Sequence, residues 1–356
     1  MSTITDTTVR SGEKFRVTRS RRNVAWTGLG ALVVVIVLAR LPYLVYAGTT
    51  TIMVQGFQVL TMACMWNLLA GYAGLVSVGQ QAFVGLGAYG VLILALNGLS
   101  PFWALPVSAI CCGVVAFPLW WLVSRLRSGY FAIATWVLAA TIELIIERFS
   151  ALGSGTGLPL PGLSGFSSTM LPADTYWVGL AVTVAALAAT YLVMRGRLGL
   201  VLTAIRDDEV AARSSGARVG LARMIVFVIA GIGCGAAGAL VAISDLQVTP
   251  TGVFSISWTA EMAFAVIIGG IGTIEGPIIG TAVYMVLQQE LASYNAWYLI
   301  IFGLVAIVVA LFARRGLWGL VDEYAHVRLF PVGYWLWTGD EGRRGLRWRR
   351  RGGRPS

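Results

Sequence analysis

The chain has 356 residues, of which 57% are hydrophobic and 12% charged, with a mean hydropathy of +0.79 and a formal net charge of +10. Soluble domains carry roughly 25% charged residues, so this composition excludes a water-soluble globular protein and specifies an all-α integral membrane one. The single histidine, His326, and four cysteines without metal-ligand spacing leave almost no material for a metalloenzyme or a histidine proton relay.

A basic segment, 1–23, comes first. Its charges and the apolar run behind it have the outline of a signal peptide, but "VYAG" near residue 47 lacks an A-x-A cleavage pattern, so the first span reads as an uncleaved helix. Apolar runs of about 20 residues cross a bilayer as helices because a helix satisfies its own backbone groups where water is absent. About ten such transmembrane helices fall within a membrane domain, 24–313, at 24–46, 51–70, 80–97, 102–124, 130–148, 175–194, 223–244, 258–270, 275–291 and 297–313. The eighth is short and reads as a broken or re-entrant piece packed against the ninth. A basic tail, 314–356, ends the chain.

Lysine and arginine accumulate on the cytoplasmic side of membrane proteins. Here 24 of the 26 basic residues lie in 1–22, 125–127, 195–223 and 314–356, all on one side of a ten-span path; the other two, Arg40 and Arg148, lie near predicted outer ends. Both termini are therefore expected in the cytoplasm. The ending "GRRGLRWRRRGGRPS" reads as a segment held against anionic inner-leaflet lipid, and nucleic acid is not expected as a partner. Cys64, Cys111, Cys112 and Cys234 lie inside spans and behave as small hydrophobes.

Three glycine-rich stretches interrupt the apolar pattern. "GYAGLVSVGQQAFVGLGAYG", 71–90, offers Ser77, Gln80 and Gln81 to a helix start, with Ser77 as its cap and Phe83 and Tyr89 facing the bundle. "GIGCGAAGAL", 231–240, has the four-residue glycine spacing that lets helices pack closely. "GGIGTIEGPIIG", 269–280, adds Thr273, Glu275 and Pro277, the marks of an interrupted helix, which membranes tolerate where protein or a watery cavity surrounds it. The outer loop 149–174 is rich in glycine, proline and serine and long enough to meet a partner.

Between the sixth and seventh spans stands a charged stretch, "LTAIRDDEVAARSSGARVG". Residues 203–214 read as one short helix with Asp207, Asp208 and Glu209 early, Arg213 late and Gly216 as terminator, the charge order that the helix dipole favours. Such a compact cytoplasmic knob suits docking in another protein's groove.

"GLVLTAIRDDEVAARSSG", "GYAGLVSVGQQAFVGLGAYG", "RSGYFAIAT" and "GGIGTIEGPIIGTAV" stand in the order used by permeases of the branched-chain amino acid ABC transporter family, which the chain resembles over about 50–313. It looks most like the M-type member of the permease pair; urea permeases of the same superfamily share these motifs. The resemblance implies half of a transmembrane pathway in a bacterial plasma (inner) membrane, crossing it many times. It implies two nucleotide-binding ATPase subunits, a second homologous permease and a periplasmic or extracellular solute-binding protein as partners, besides membrane lipids. ATP and Mg would belong to the ATPase subunits, with no cofactor, metal or catalytic residue in this chain, which has no G-x-x-x-x-G-K-[ST] loop. Carried over by position, the coupling helix comprises Ala204, Arg206, Asp207, Asp208, Glu209, Ala211, Ala212, Arg213 and Gly216, and its flanking spans are expected to transmit its motion.

The pathway or its hinges are expected to draw on Gly71, Gly74, Ser77, Gly79, Gln80, Phe83, Gly87, Tyr89, Tyr130, Thr135 and Glu143, and on Gly269, Gly270, Gly272, Thr273, Gly276 and Pro277. Ionisable residues inside a membrane are functional candidates. Glu143 and Glu147 share a helix face; Glu143 is a candidate partner for a substrate ammonium, whereas Glu147 beside Arg148 reads as an outer-end ion pair. Few fixed charges suit leucine, isoleucine or valine, and equally urea or a short amide. A secondary transporter is the competing class, disfavoured by the scarcity of intramembrane carboxylates.

Overall fold

The computed structural model describes residues 16–18, 21–43, 47–126, 129–162, 171–291, 297–312, 316–325 and 335–337. Most of the basic N-terminal segment, most of the basic tail and the 163–170 part of the outer loop lie outside them. The first helices are α1 (Arg21–Arg40), α2 (Ala47–Asn67), α3 (Gln81–Leu96), α4 (Pro101–Val123), α5 (Gly129–Glu147) and α6 (Leu171–Arg195). Two short helices follow, α7 (Arg197–Asp207) and α8 (Glu209–Ser214), and then the longest helix, α9 (Val219–Asp245). The chain closes with α10 (Pro250–Val253), α11 (Ile256–Gly269), α12 (Glu275–Leu291), α13 (Trp297–Phe312) and α14 (Gly316–Ala325). Two strand pairs are antiparallel: β1 (Arg16–Thr18) with β4 (Trp335–Trp337), and β2 (Leu158–Pro159) with β3 (Gln247–Val248).

Among the described residues six helical stretches are long and apolar enough to cross a membrane: Gly48–Tyr72, Pro101–Val123, Gly129–Glu147, Leu171–Arg195, Val219–Asp245 and Pro250–Gly269. Leu32–Tyr43 and Gln81–Leu96 are apolar but shorter. The chain is an all-α, multi-pass membrane protein.

Helix α9 is the centre, packed on α2, α3 and α4. Its small residues decide how closely. A Cβ on Gly238 would run into the Val84 carbonyl, one on Gly87 into the Gly235 carbonyl, and one on Gly235 would lie 2.6 Å from the Cys112 sulfur. Lipid supplies no hydrophobic drive between helices, so dispersion at close approach does the holding, and glycine admits it. Around this contact Phe83, Trp120, Phe131 and Phe227 form an aromatic cluster, with Phe83 and Phe227 edge to face at 5.5 Å. The glycines of 231–240 are thus packing residues. Cys64, Cys112 and Cys234 are buried and Cys111 exposed, all as free thiols.

Polar cross-links fix the other helices. Thr61 and Thr183 share a buried hydrogen bond at 3.0 Å between α2 and α6, and the Tyr176 hydroxyl donates to the Leu38 carbonyl at 2.8 Å, tying α6 to α1. The glycine loop after α5 is pinned by the β2–β3 pairing and by the Leu160 amide donating to the Leu246 carbonyl at 2.9 Å. Glu147 and Arg148 do not form the expected ion pair, because adjacent helical residues diverge.

If the α3–α9 contact sets the packing, Gly238→Val should cost about 1–3 kcal/mol through overpacking. It should lower the thermal midpoint in detergent. Gly220→Ala, on the same helix with open space at its Cβ, should leave that midpoint unchanged or raise it.

Candidate functional site

The charged stretch is two helices where one was expected over 203–214. The chain turns extended at Asp208, with φ −156° and ψ 109°, and α8 begins anew at Glu209. The cause is local: the Asp208 carboxylate accepts from the amides of Val210 at 2.8 Å and Ala211 at 3.0 Å, satisfying donors that a new helix leaves orphaned. Gly216 closes α8 at φ +82°, with its amide donating to the Arg213 carbonyl and that of Ala217 to the Ala212 carbonyl. That pair of bonds is a Schellman terminator and needs the left-handed residue that glycine supplies. Leu202, Ile205 and Ala212 face inward and are buried, while Ala204, Asp207, Ala211 and Arg213 are exposed and Val210, at the tip, is 74% exposed.

Glu209 locks the knob to the membrane helices. One of its oxygens accepts from Arg213 within α8, and the other from Arg223 of α9 at 3.0 Å. Burial works to raise this carboxyl, yet the Arg223 hydrogen bond and the charges of Arg223 and Arg213 outweigh it and hold it below the ordinary glutamate range. A carboxyl so depressed contributes its tie above that range and loses it as the pH falls beneath it.

Beneath the knob two irregular segments meet. Helix α2 ends in a wide turn, Leu68–Tyr72, and continues as coil to Gln80. The chain also breaks between α11 and α12, where Gly270 (φ +133°) and Gly272 (φ +76°) take conformations that L side chains rarely adopt. Asn67 joins the two: its amide donates to the Thr273 carbonyl at 2.7 Å and accepts from the Gly272 amide at 2.8 Å. Arg206 of α7 donates to the Gly71 carbonyl at 3.2 Å, and Arg223 to the Ala73 carbonyl at 3.3 Å. A Cβ on Gly71 would lie 2.6 Å from the Gly272 nitrogen, and one on Gly272 would strike the Arg206 guanidinium. Glu275 is buried at the start of α12. Gly316, at the start of α14, lies against Gly269 and Gly270.

The remaining predicted residues distribute around this junction. Gly269, Gly276 and Gly280 bring α11 and α12 into backbone contact, with Pro277 buried beside them, so the eighth and ninth predicted spans are the packed pair expected. Ser77 is not the cap of α3: its hydroxyl accepts from Gly79 N and Gln80 Nε2, both at 3.3 Å, because the coil turns once more before α3 starts at Gln81. Gly79 sits tightly against the Thr135 backbone, and the Thr135 hydroxyl accepts from the Val78 amide at 3.2 Å. Gln81 accepts from Thr259 of α11. Gly74 has φ +68° and open space around it. Tyr89 is buried and stacked on Phe254 at 6.1 Å. Phe83 and Gly87 belong to the helix core, Tyr130 is 75% exposed, and Glu143 is half-buried on the face that Phe131, Thr135 and Ala139 bury. Among the described residues no group of histidines, cysteines and carboxylates could hold a metal ion.

The family described as "Branched-chain amino acid transport system / permease component" matches residues 48–310. The chain belongs to this permease family. It is 26% identical over 314 residues to the high-affinity branched-chain amino acid transport system permease protein LivM of Escherichia coli K12, covering 80% of this chain and 74% of that one. It is 23% identical over 334 residues to the corresponding LivM of Salmonella typhimurium LT2, covering 86% of this chain and 78% of that one. No solved structure matches the chain.

Sequence reasoning had found most of the residues of this permease's junction but missed two. Arg223 was counted only as a cytoplasmic charge. Asn67 had a signal, as a carboxamide among apolar residues within a span, where an unsatisfied polar group costs several kcal/mol.

Removing the Asp208 cap tests whether the knob is preformed. Asp208→Ala should cost about 1 kcal/mol of local stability, read as about fivefold faster amide exchange across 209–214. Exchange in α9 should stay unchanged.

Proposed function

We propose that this permease forms half of the transmembrane pathway of an ABC importer for branched-chain amino acids. Its α7–α8 knob is the coupling element, and two nucleotide-binding ATPase subunits grip it from the cytoplasm. A second, homologous permease supplies the other half of the pathway, and a solute-binding protein delivers substrate at the outer face. ATP and its Mg belong to the ATPase subunits. The setting is the bacterial plasma (inner) membrane, with ten spans and both termini cytoplasmic: α1, α3, α12 and α13 join the six long apolar stretches to make that number.

The observation that carries this reading is the knob. It is capped at both ends, tied inward through Arg206 and Glu209, and presents an apolar tip, Val210, to solvent. An exposed apolar residue on a rigid polar helix is a natural anchor for a groove in another protein. A rigid contact of this kind can favour one state of the pathway only if the ATPase subunits grip its inward-open and outward-open states with different affinity. The paucity of fixed charge along the helices suits a substrate whose side chain is apolar, and the relatives named above transport branched-chain amino acids.

The test is gentle extraction of the complete assembly from its native membrane, with ATPase activity measured in the same sample. An ATPase subunit and a second permease should co-purify. Val210→Asp, which leaves every inward tie in place, should weaken retention of the ATPase subunit about tenfold while the chain stays inserted. Unaltered retention would remove the tip from the contact.

A further inference from the structure

Covalently, the knob is continuous with α6 and α9, which makes those spans the obvious carriers of its motion. The contacts add a second route. From α7, Arg206 reaches the Gly71 carbonyl; the turn holding Gly71 begins at Asn67; and Asn67 holds Gly272 and Thr273 at the break between α11 and α12. Asn67 and its partners are more than 200 residues apart in sequence. The backbones of Gly71 and Gly272 are too close for any side chain between them, so the two irregular segments move as one piece. The α11–α12 hairpin is likewise stiff, because Gly269, Gly276 and Gly280 lock its helices backbone to backbone.

We propose that Asn67 is a positioning residue that gears the α11–α12 hairpin to the coupling knob, so that nucleotide-driven movement reaches the pathway through the Arg206–Gly71–Asn67–Gly272 junction as well as through α6 and α9. Its carboxamide suits the role because it offers a donor and an acceptor side by side and grips the break on both sides of the Gly272–Thr273 peptide bond, at the Gly272 amide and the Thr273 carbonyl. No side chain of the break is gripped, so the clamp depends on backbone shape, which the positive φ of Gly272 provides. A helix-end residue that merely satisfied stray backbone groups would stabilise the fold without setting how transport follows hydrolysis.

This inference rests on the reading of the chain as an ABC permease, and the experiment separates the two. The complete transporter, with both permeases, the ATPase subunits and the binding protein, is reconstituted in proteoliposomes, and leucine uptake and ATP hydrolysis are measured together. Asn67→Leu, close in size but without hydrogen bonds, should assemble and hydrolyse ATP while uptake per ATP falls about tenfold. Asn67→Asp, which keeps the acceptor for Gly272 and loses the donor to Thr273, should fall about threefold. Ser108→Ala removes a buried hydrogen bond between α4 and α3, away from the junction, and should leave the ratio at the wild-type value. A wild-type ratio in Asn67→Leu, or a fall of the same size in Ser108→Ala, overturns the gearing role. Should Asn67→Leu fail to assemble, Asn67→Asp decides by the same ratio. A wild-type chain that recruits no ATPase subunit defeats the importer reading instead.

Discussion

Backbone polar groups inside a membrane must find partners within the protein, and in this chain two segments break that need out of the helix. The coil after α2 and the gap between α11 and α12 both carry peptide groups that no helix satisfies. Side chains from elsewhere do so. Asn67 serves the gap; Arg206, Arg223 and Thr135 serve the coil; and the Trp66 indole donates to the Ser77 carbonyl at 2.9 Å. Each such bond contributes only about 1 kcal/mol net, but leaving the group bare costs more, so the arrangement is held by the penalty for undoing it. Those made by Asn67, Arg206 and Arg223 join parts of the chain 135 or more residues apart in sequence.

The same economy governs helix packing. Lipid tails are as apolar as leucine, so α9 gains nothing by hiding hydrophobic surface from them. It gains dispersion contacts by approaching α3 and α4 closely, and glycine at 87, 235 and 238 sets the distance. The α11–α12 hairpin repeats the device with Gly269, Gly276 and Gly280. Between these two stiff units lies the irregular junction, which concentrates any adjustment in a few residues.

Charge is partitioned accordingly. The knob carries three consecutive acidic residues, Asp207, Asp208 and Glu209, flanked by Arg206 and Arg213, and Glu209 is shared between its own helix and α9. Arg206 points its guanidinium at the Gly71 carbonyl, a contact that reaches into the fold. The knob is therefore tied to α9 and to the turn after α2 by charged hydrogen bonds.

Much of this was legible in the order of residues. Apolar runs, the basic residues at their ends, the glycine interruptions and the charged knob are all local patterns, and the physics that reads them acts over a few residues: helix periodicity, bilayer thickness, capping and charge at helix ends. The break at Asp208 escaped because aspartate is tolerated within a helix, and its choice of the Val210 and Ala211 amides appears only with coordinates. Ser77 was misplaced for a related reason, one further turn of coil being invisible in composition. The sequence alone determined that this is a multi-pass helical protein with a charged knob between two of its apolar helices and an interrupted helix near its end. Only the tertiary structure decided that Asn67, Arg206, Gly71 and Gly272 meet, because a hydrogen bond across some 200 residues depends on how helices are placed against one another, and no local pattern records that placement.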